Sequence, residues 1–461
     1  MIVVGTAPFT HAMLLRFVVS GAGAAIGEVG GAVRGWDAGQ GLGTGGVALS
    51  GQPWLIVGFL GALSANAHGF EPGSVILIEE PDVIRKREVA AFMSRSPMLR
   101  ELLEWEYQRP GAAEELYALR PDLNPALVAP LVEYATPFAA RIAELYGLPG
   151  AGYAAALAMR DKALLRQITR SAGIRNPESE AVETSDDVRR FMTAHPGPVV
   201  LKPADRQGAL GTKILQHVSE VEGAWQECID QDEGVLVPDR EFPLRMLTER
   251  YVKGDEYSVE MLVRNGVPLL ANITQKRLYP GPRPVELAHV VPADLPDDTA
   301  RLLQDGTTAV LDAVGFGSGV VHCEWIVSEG RPYLIECAGR FPGDGIPEMI
   351  ALSYVIDLPA HFYTVMRGLE PPPLPATAQK AAVVLFLQVE PGTVVSVEGI
   401  KAAAAVPGVV RVWFAVTVGD CVREVRSSTD RVGSVMACAD TTDEAMAIAV
   451  QAAGLIRVEV A

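Results

Sequence analysis

Apolar residues along this chain fall in short runs separated by polar, glycine- or proline-bearing turns, the spacing of an α/β protein. Trp54-Leu55-Ile56-Val57-Gly58-Phe59 and Ser74-Val75-Ile76-Leu77-Ile78-Glu79 read as buried strands. Pro81 ends the second, and a charged helix is expected from Val83 to Ser94. This alternation predicts a small doubly wound sheet, whose first strand–helix turn is a place for a ligand. Leu99 to Tyr146 reads as largely helical, broken at Pro110, Pro121, Pro125 and Pro130. A longer helix begins near Arg160-Asp161-Lys162, continues to Ser171 and stops at Gly173, with Pro177 beyond.

An α+β unit follows. Pro198 to Pro203 is a strand, Ala204 to Lys213 a polar glycine-containing loop, and Ile214 to Val218 the return strand. A helix from Glu220 to Gln231 and a strand from Leu247 to Val252 complete it. Strands then alternate from Glu256 to Ile273, before a Pro-rich loop from Tyr279 to Pro284 and a helix from Asp297 to Val314. Val321 to Arg340 reads as a β-hairpin turning at Ser328-Glu329-Gly330-Arg331. Pro371-Pro372-Pro373-Leu374-Pro375 is the clearest linker. Beyond it lies an α+β module with strands Ala382 to Gln388 and Val409 to Val416 and a helix from Thr442 to Ala453.

At 461 residues the chain needs two to four domains rather than one core. A net charge of −17 argues against sequence-independent nucleic-acid binding, which relies on basic surfaces. Five scattered cysteines, with no CxxC and no zinc spacing, suit a reduced cytoplasmic protein. Cys323 and Cys337 read as small core residues. No apolar run is long and clean enough to span a bilayer. Residues 1–50 carry a dinucleotide-like glycine spacing at Gly21 to Gly27, but no acidic residue ends a second strand, so a flexible Gly-rich extension is expected. It lacks a basic start, and Arg16 interrupts its apolar stretch, which makes it a poor signal peptide.

Each strand of the Val321–Arg340 hairpin carries a carboxylate, Glu324 and Glu336. A buried carboxylate is paired or binds a cation, and two on adjacent strands with Arg340 beyond could clamp Mg²⁺ against a phosphate. Two solvent-facing glutamates explain the hairpin alone equally well. Lys162 opens a helix, whereas Lys202 ends an otherwise apolar strand. Gly208 and Gly211 then give a loop whose backbone N–H groups can approach phosphate oxygens, although no Walker A pattern is present. Glu249 and Glu256 bracket a turn at Tyr251-Val252-Lys253-Gly254. Such a turn leaves backbone groups for a flat heterocycle, and a glutamate beyond it can accept from ribose hydroxyls. Glu286 and His289 lie in and beside an apolar run, and His322 reads as structural.

Taken together, these residues resemble the ATP-grasp superfamily over residues 54 to 461. Arg160-Asp161-Lys162 with Ala172-Gly173-Ile174 looks like the family's first-lysine helix, and Val200-Leu201-Lys202-Pro203 with the glycine loop its second-lysine strand and lid. Glu249 to Glu260 looks like the adenine and ribose hinge. His322-Cys323-Glu324 and Glu336-Cys337-Ala338-Gly339-Arg340 look like the magnesium strands. Ala338 departs from the pattern, since many members carry an asparagine ligand there; water, Asp344 or Glu286 would have to supply the oxygen. Glu286-xx-His289 resembles the amino-acid ligases within the superfamily, as do Glu390-Pro391-Gly392, Pro407-Gly408-Val409 and Asp430-Arg431-Val432-Gly433.

The resemblance implies an α/β and α+β protein of ATP-grasp fold. Its parts would be an N-terminal doubly wound parallel-sheet domain at 51–155, an ATP-grasp domain at 156–375 with an antiparallel central sheet and a lid at about 180–250, and a small α+β domain at 376–461. It also implies ATP-dependent joining of a small carboxylate to an amine, free or at a peptide N-terminus, through an acyl phosphate. ATP would be bound by Lys162, Lys202, Gly208, Gly211, Glu249, Tyr251, Val252 and Glu256, and Mg²⁺ (two ions, or Mn²⁺) by Glu324 and Glu336. Arg340 and His289 would be catalytic, and Glu286, His289, Arg340, Gly343 and Asp344 would meet substrate. No nucleic-acid or membrane partner is expected, and a homodimer stays open. The alternatives are another ATP-grasp chemistry, of purine-pathway or carboxylase type, or an inactive nucleotide-binding homologue.

Overall fold

A computed structural model describes residues 51–59, 70–230, 234–240, 242–280 and 283–461, so the Gly-rich extension lies outside the described residues. The first sheet is parallel. It comprises β1 (Trp54–Val57), β2 (Val75–Glu79), β3 (Leu99–Glu104) and β4 (Leu127–Pro130) in the order β3-β2-β1-β4. Successive residues alternate between its faces. Leu55, Val57, Ile76 and Ile78 pack with Leu116, Phe138 and Ile142 on one side, while Ile56 and Leu77 join Ile350 and Phe362 on the other. Both faces are therefore covered, which is why these strands read as unbroken apolar runs.

Two expectations for this region need correction. Leu99–Glu104 and Leu127–Pro130, expected within a helical stretch, are the two edge strands of the sheet. The first keeps most of its side chains only half-buried, and the second is four residues long and ends on Pro130, so neither presents a strand period. The charged helix is two helices, Pro81–Lys86 and Val89–Met93, broken where Glu88 takes a left-handed φ of 51°.

The second unit is antiparallel: β5 (Ser179–Val182), β6 (Val199–Pro203), β7 (Lys213–Leu215) and β8 (Met246–Arg250), ordered β5-β8-β6-β7. Helices Ser185–Ala194 and Val221–Ile229 supply its core through Val188, Phe191 and Val221. The helix Lys162–Ser171 leads into it, and the Asp161 carboxylate caps that helix by accepting from the N–H groups of Ala163 and Leu164.

The largest sheet has eight strands in the order β13-β12-β9-β10-β11-β14-β18-β16. These are β9 (Asp255–Arg264), β10 (Val267–Leu278), β11 (Glu286–Val291), β12 (Gly319–Ser328), β13 (Arg331–Ala338), β14 (Ala381–Phe386), β16 (Val409–Phe414) and β18 (Gly433–Ala439). The last three follow the Pro-rich linker, so the C-terminal module extends the central sheet. β15 (Gly392–Glu398), β17 (Cys421–Val422) and β19 (Arg457–Val460) form a small separate sheet. Helix Asp297–Val314 lies on the large sheet through Leu303, Val310 and Leu311, and the Trp325 indole donates to Thr307 at 2.9 Å. Among the described residues no single helix is long and apolar enough to cross a membrane.

The hairpin β12–β13 is antiparallel with Cys323 opposite Cys337 and Glu324 opposite Glu336. Both cysteines are buried and free. Between β8 and β9 the chain passes tightly over β12: a Cβ on Gly254 would stand 2.2 Å from the Val327 carbonyl oxygen. Gly254→Ala must push the turn off β12, and about 2 kcal/mol of stability is expected to be lost. A urea titration measures it; an unchanged midpoint would show that the turn yields freely.

Candidate active site

The two lysines singled out from sequence are both buried, one on the helix Lys162–Ser171 and one on β6. Lys162, in the first turn of its helix, is buried, with Nζ 3.1 Å from Glu336 and donating to the Arg206 carbonyl at 2.8 Å. Lys202, on β6, is also buried, and its Nζ lies 2.7 Å from Glu249. The other Glu249 oxygen accepts from Arg166 Nε at 2.8 Å. Burial raises the Glu249 carboxyl, but Arg166 and Lys202 outweigh it and hold the group below the ordinary range. Burial lowers the Lys202 ammonium against the pull of Glu249. Arg166 also donates to the Ile335 carbonyl at 2.6 Å, which ties this helix to the hairpin strand bearing Glu336.

Glu324 is not exposed. It pairs with Lys276 on β10, and His322 Nε2 lies 3.1 Å away. The other His322 nitrogen is 2.9 Å from Glu260, whose remaining oxygen accepts from Asn272 and Thr274, each at 2.7 Å. Burial opposes charging of His322, but Glu260 and Glu324 prevail and its pKa is raised. Lys276 was not signalled by the sequence, nor was Glu260. The first reads as an ordinary polar position on a strand. The second is a carboxylate within an apolar run, the same signal that marked Glu324.

The expected adenine hinge is partly committed. The Tyr251 N–H donates to the Pro198 carbonyl at 3.0 Å, and Glu249 is enclosed by Arg166 and Lys202 instead of facing an open cleft. Tyr251 is exposed, Val252 is half-buried, and Gly208 and Gly211 lie in the β6–β7 loop with φ of +66° and +74°. Burial pushes the Glu256 carboxyl up to about 7; Lys276 opposes this while Glu324 and Glu286 reinforce it. Its folded pKa exceeds its unfolded one, so the stability it confers is complete at low pH and is lost as pH rises through about 7. Glu256→Gln is expected to raise apo stability at pH 8 by roughly 2–3 kcal/mol. Calorimetric melts at pH 5 and 8 check this: the gain should fall below about 1 kcal/mol at pH 5, and a gain equal at both values would rule out titration as its cause.

Of the proposed substrate residues, His289 and Asp344 are in contact, whereas Arg340 pairs with a carboxylate of the first domain. Arg340 Nε lies 2.7 Å from Glu133, a carboxylate almost wholly buried at the edge of the first domain, and Nη1 donates to the Phe341 carbonyl at 2.9 Å. His289 is 1% exposed. Its Nε2 is 3.0 Å from Asp344, and its Nδ1 is buried without a hydrogen-bond partner among the described residues. Asp344, at a left-handed φ of 59°, also receives both terminal nitrogens of Arg431. Burial would raise its carboxyl, yet Arg431 and His289 hold it far below the ordinary range. Glu286 lies 3.4 Å from Lys276 and accepts from Ser428 at 3.4 Å. Asp344 and Glu286 were two candidates for the ligand missing at Ala338. Asp344 is taken by Arg431 and His289, and the opposite strand places His322 across from Ala338.

The donor set fits Mg²⁺. Glu324 and Glu336 are hard oxygen ligands facing each other across one register pair, and Mg²⁺ is typically held by one or two carboxylates together with phosphates and water. Among the described residues no group of three or more His, Cys, Asp and Glu side chains forms an all-protein metal cage. Here lysine ammonium groups neutralise both carboxylates.

Residues 195–348, which hold both clamp carboxylates, Lys202 and the hinge, match the ATP-grasp domain model. The chain carries an ATP-grasp domain. Residues 385–461 match the model of L-amino acid ligase C-terminal domain 2. In fold, this ATP-grasp protein is similar to the L-amino acid ligase of Bacillus licheniformis, with a TM-score of 0.71 and 18% identity over 89% of this chain and 99% of that one. In sequence it is similar to the alanine–anticapsin ligase of Bacillus subtilis, 24% identical over 48% of this chain and 49% of that protein. It is also similar to the D-alanine–D-alanine ligase of Gloeobacter violaceus, 27% identical over 43% and 64% respectively. Each of these two sequence matches spans less than two thirds of the relative's own length.

Proposed function

We propose that this protein is an ATP-dependent carboxylate–amine ligase that forms an amide or peptide bond between an amino acid and a second amino acid or peptide amine, releasing ADP and phosphate. The observation that carries the reading is the contact of Lys162 with Glu336, which stands directly opposite Glu324, in a chain whose C-terminal residues match the L-amino acid ligase model.

Lys162 and Lys202 neutralise the triphosphate as they leave Glu336 and Glu249, and Glu256 receives the ribose hydroxyls. Glu324 and Glu336 would hold Mg²⁺, which supplies charge neutralisation at the transferring phosphoryl group. The substrate carboxylate attacks the γ-phosphorus and ADP leaves, giving an acyl phosphate. The amine nitrogen, once deprotonated, then attacks the acyl carbon, the carbon–oxygen bond to phosphate breaks, and the nitrogen's surplus proton leaves with the phosphate. Arg340 faces the charge that develops on the phosphoryl oxygens and on the tetrahedral intermediate. His289 contacts the carboxylate or acyl phosphate, Glu286 binds the ammonium, and Gly343 and Asp344 border the same end. The β5–β8 lid, with its Gly208/Gly211 loop, excludes water that would otherwise hydrolyse the acyl phosphate.

ADP release is measured with MgATP and an equimolar mixture of the twenty protein amino acids, and the products are weighed by mass spectrometry. The ligase reading expects amino-acid-dependent ADP release and a product mass equal to two substrates less one water. Bicarbonate-dependent turnover, or none under any condition, overturns it.

A further inference from the structure

Arg431 comes from the module beyond the Pro-rich linker, yet its side chain is buried among the substrate residues. It precedes β18 by two positions, and β18 pairs with β14, which pairs with β11, the strand of Glu286 and His289. Its guanidinium plane lies over the Phe386 ring of β14, 3.7 Å from the centroid. The same ring meets His289 edge-on at 6.0 Å. Nη1 donates to Asp344 at 2.9 Å, Nη2 takes the other Asp344 oxygen, and Nε donates to the Ser428 carbonyl at 2.9 Å. Glu286 stands 4.0 Å from Nη1. A planar fork engaged on three sides and stacked on an aromatic face fixes the geometry of its partners, which a flexible ammonium cannot reproduce. Asp344 sits at a backbone angle that few side chains adopt, and such positions persist only where the surroundings hold them.

We propose that Arg431 is a positioning residue through which the C-terminal module fixes Asp344 directly and Glu286 by way of Ser428, the two carboxylates at the amine-binding end of the site. This rests on the ligase reading for the identity of that end. Arg431 offsets Asp344, and Lys276 lies between Glu286 and Glu324. The triphosphate end is built from other residues, so a defect at Arg431 should appear in amino-acid use and spare ATP use.

The test compares wild type, Arg431→Lys, Arg431→Met, Asp344→Asn and the Met/Asn double variant. Half-saturating concentrations are read for MgATP and for the twenty-amino-acid mixture. Arg431→Met is expected to raise the amino-acid value at least tenfold and leave the ATP value within twofold, with Arg431→Lys intermediate. The double variant should be no worse than the poorer single one, because both remove the same contact. Equal losses for both substrates, or additive losses in the double variant, overturn the proposal. If the wild type uses no amino acid, the ligase reading falls separately, and hydrogen exchange then decides on Arg431. Amides 286–291 and 343–346 should exchange faster in Arg431→Met and Asp344→Asn, and no faster in the double variant. Unchanged exchange in those segments overturns it.

Discussion

Arg340→Ala is expected to lower amino-acid-dependent ADP release about 1,000-fold, the scale on which a lost transition-state donor acts. The structure adds a second consequence. Glu133 is nearly inaccessible and takes its hydrogen bond from Arg340 at 2.7 Å. Burial raises its carboxyl, and Arg340, Arg160 and Lys162 together bring it below the ordinary range. Removing Arg340 leaves that carboxylate short of its principal partner, so the single variant should also lose about 3 kcal/mol of stability. Arg340→Ala with Glu133→Gln separates the two effects. Thermal melts should recover in the double variant while turnover stays low. Recovery of turnover along with stability would assign Arg340 to holding Glu133 and remove it from the chemistry.

Lys202→Met is expected to raise the half-saturating ATP concentration about 100-fold, the value of a charge-assisted contact of roughly 2–3 kcal/mol. The fold should tolerate it, since Glu249 keeps Arg166 at 2.8 Å and methionine fills a similar volume on β6. Lys401→Met, on an exposed helix far along the chain, should leave ATP use unchanged. Titration with a non-hydrolysable ATP analogue reads both. An unaltered affinity in Lys202→Met would move the triphosphate away from β6.

Where side chains announce themselves locally, the sequence was readable. Glu324 and Glu336 stood out as charges inside apolar runs, and the structure sets them directly opposite one another. The helices Asp297–Val314 and Thr442–Ala453 have the expected limits, because an acidic first turn opens each and glycine follows each. Leu99–Glu104 and Leu127–Pro130 were hidden because an edge strand needs a neighbouring strand to declare itself, and four prolines made the segment look like broken helices. The site was half legible for the same reason. Lys276, Glu133 and Arg431 act through partners 48, 207 and 87 residues away, and no local pattern couples such positions. His289 was legible as a position, but not as a buried imidazole held by Asp344.

The central claim is that ATP activates a carboxylate as an acyl phosphate before an amine displaces it. Isotope transfer tests this most directly. The enzyme is supplied with MgATP and the amino-acid mixture labelled with ¹⁸O in both carboxylate oxygens, and the released phosphate is analysed by mass. One ¹⁸O per phosphate, in step with amide product, is the predicted result. Unlabelled phosphate accompanying ADP, or release of AMP and pyrophosphate, would contradict the account.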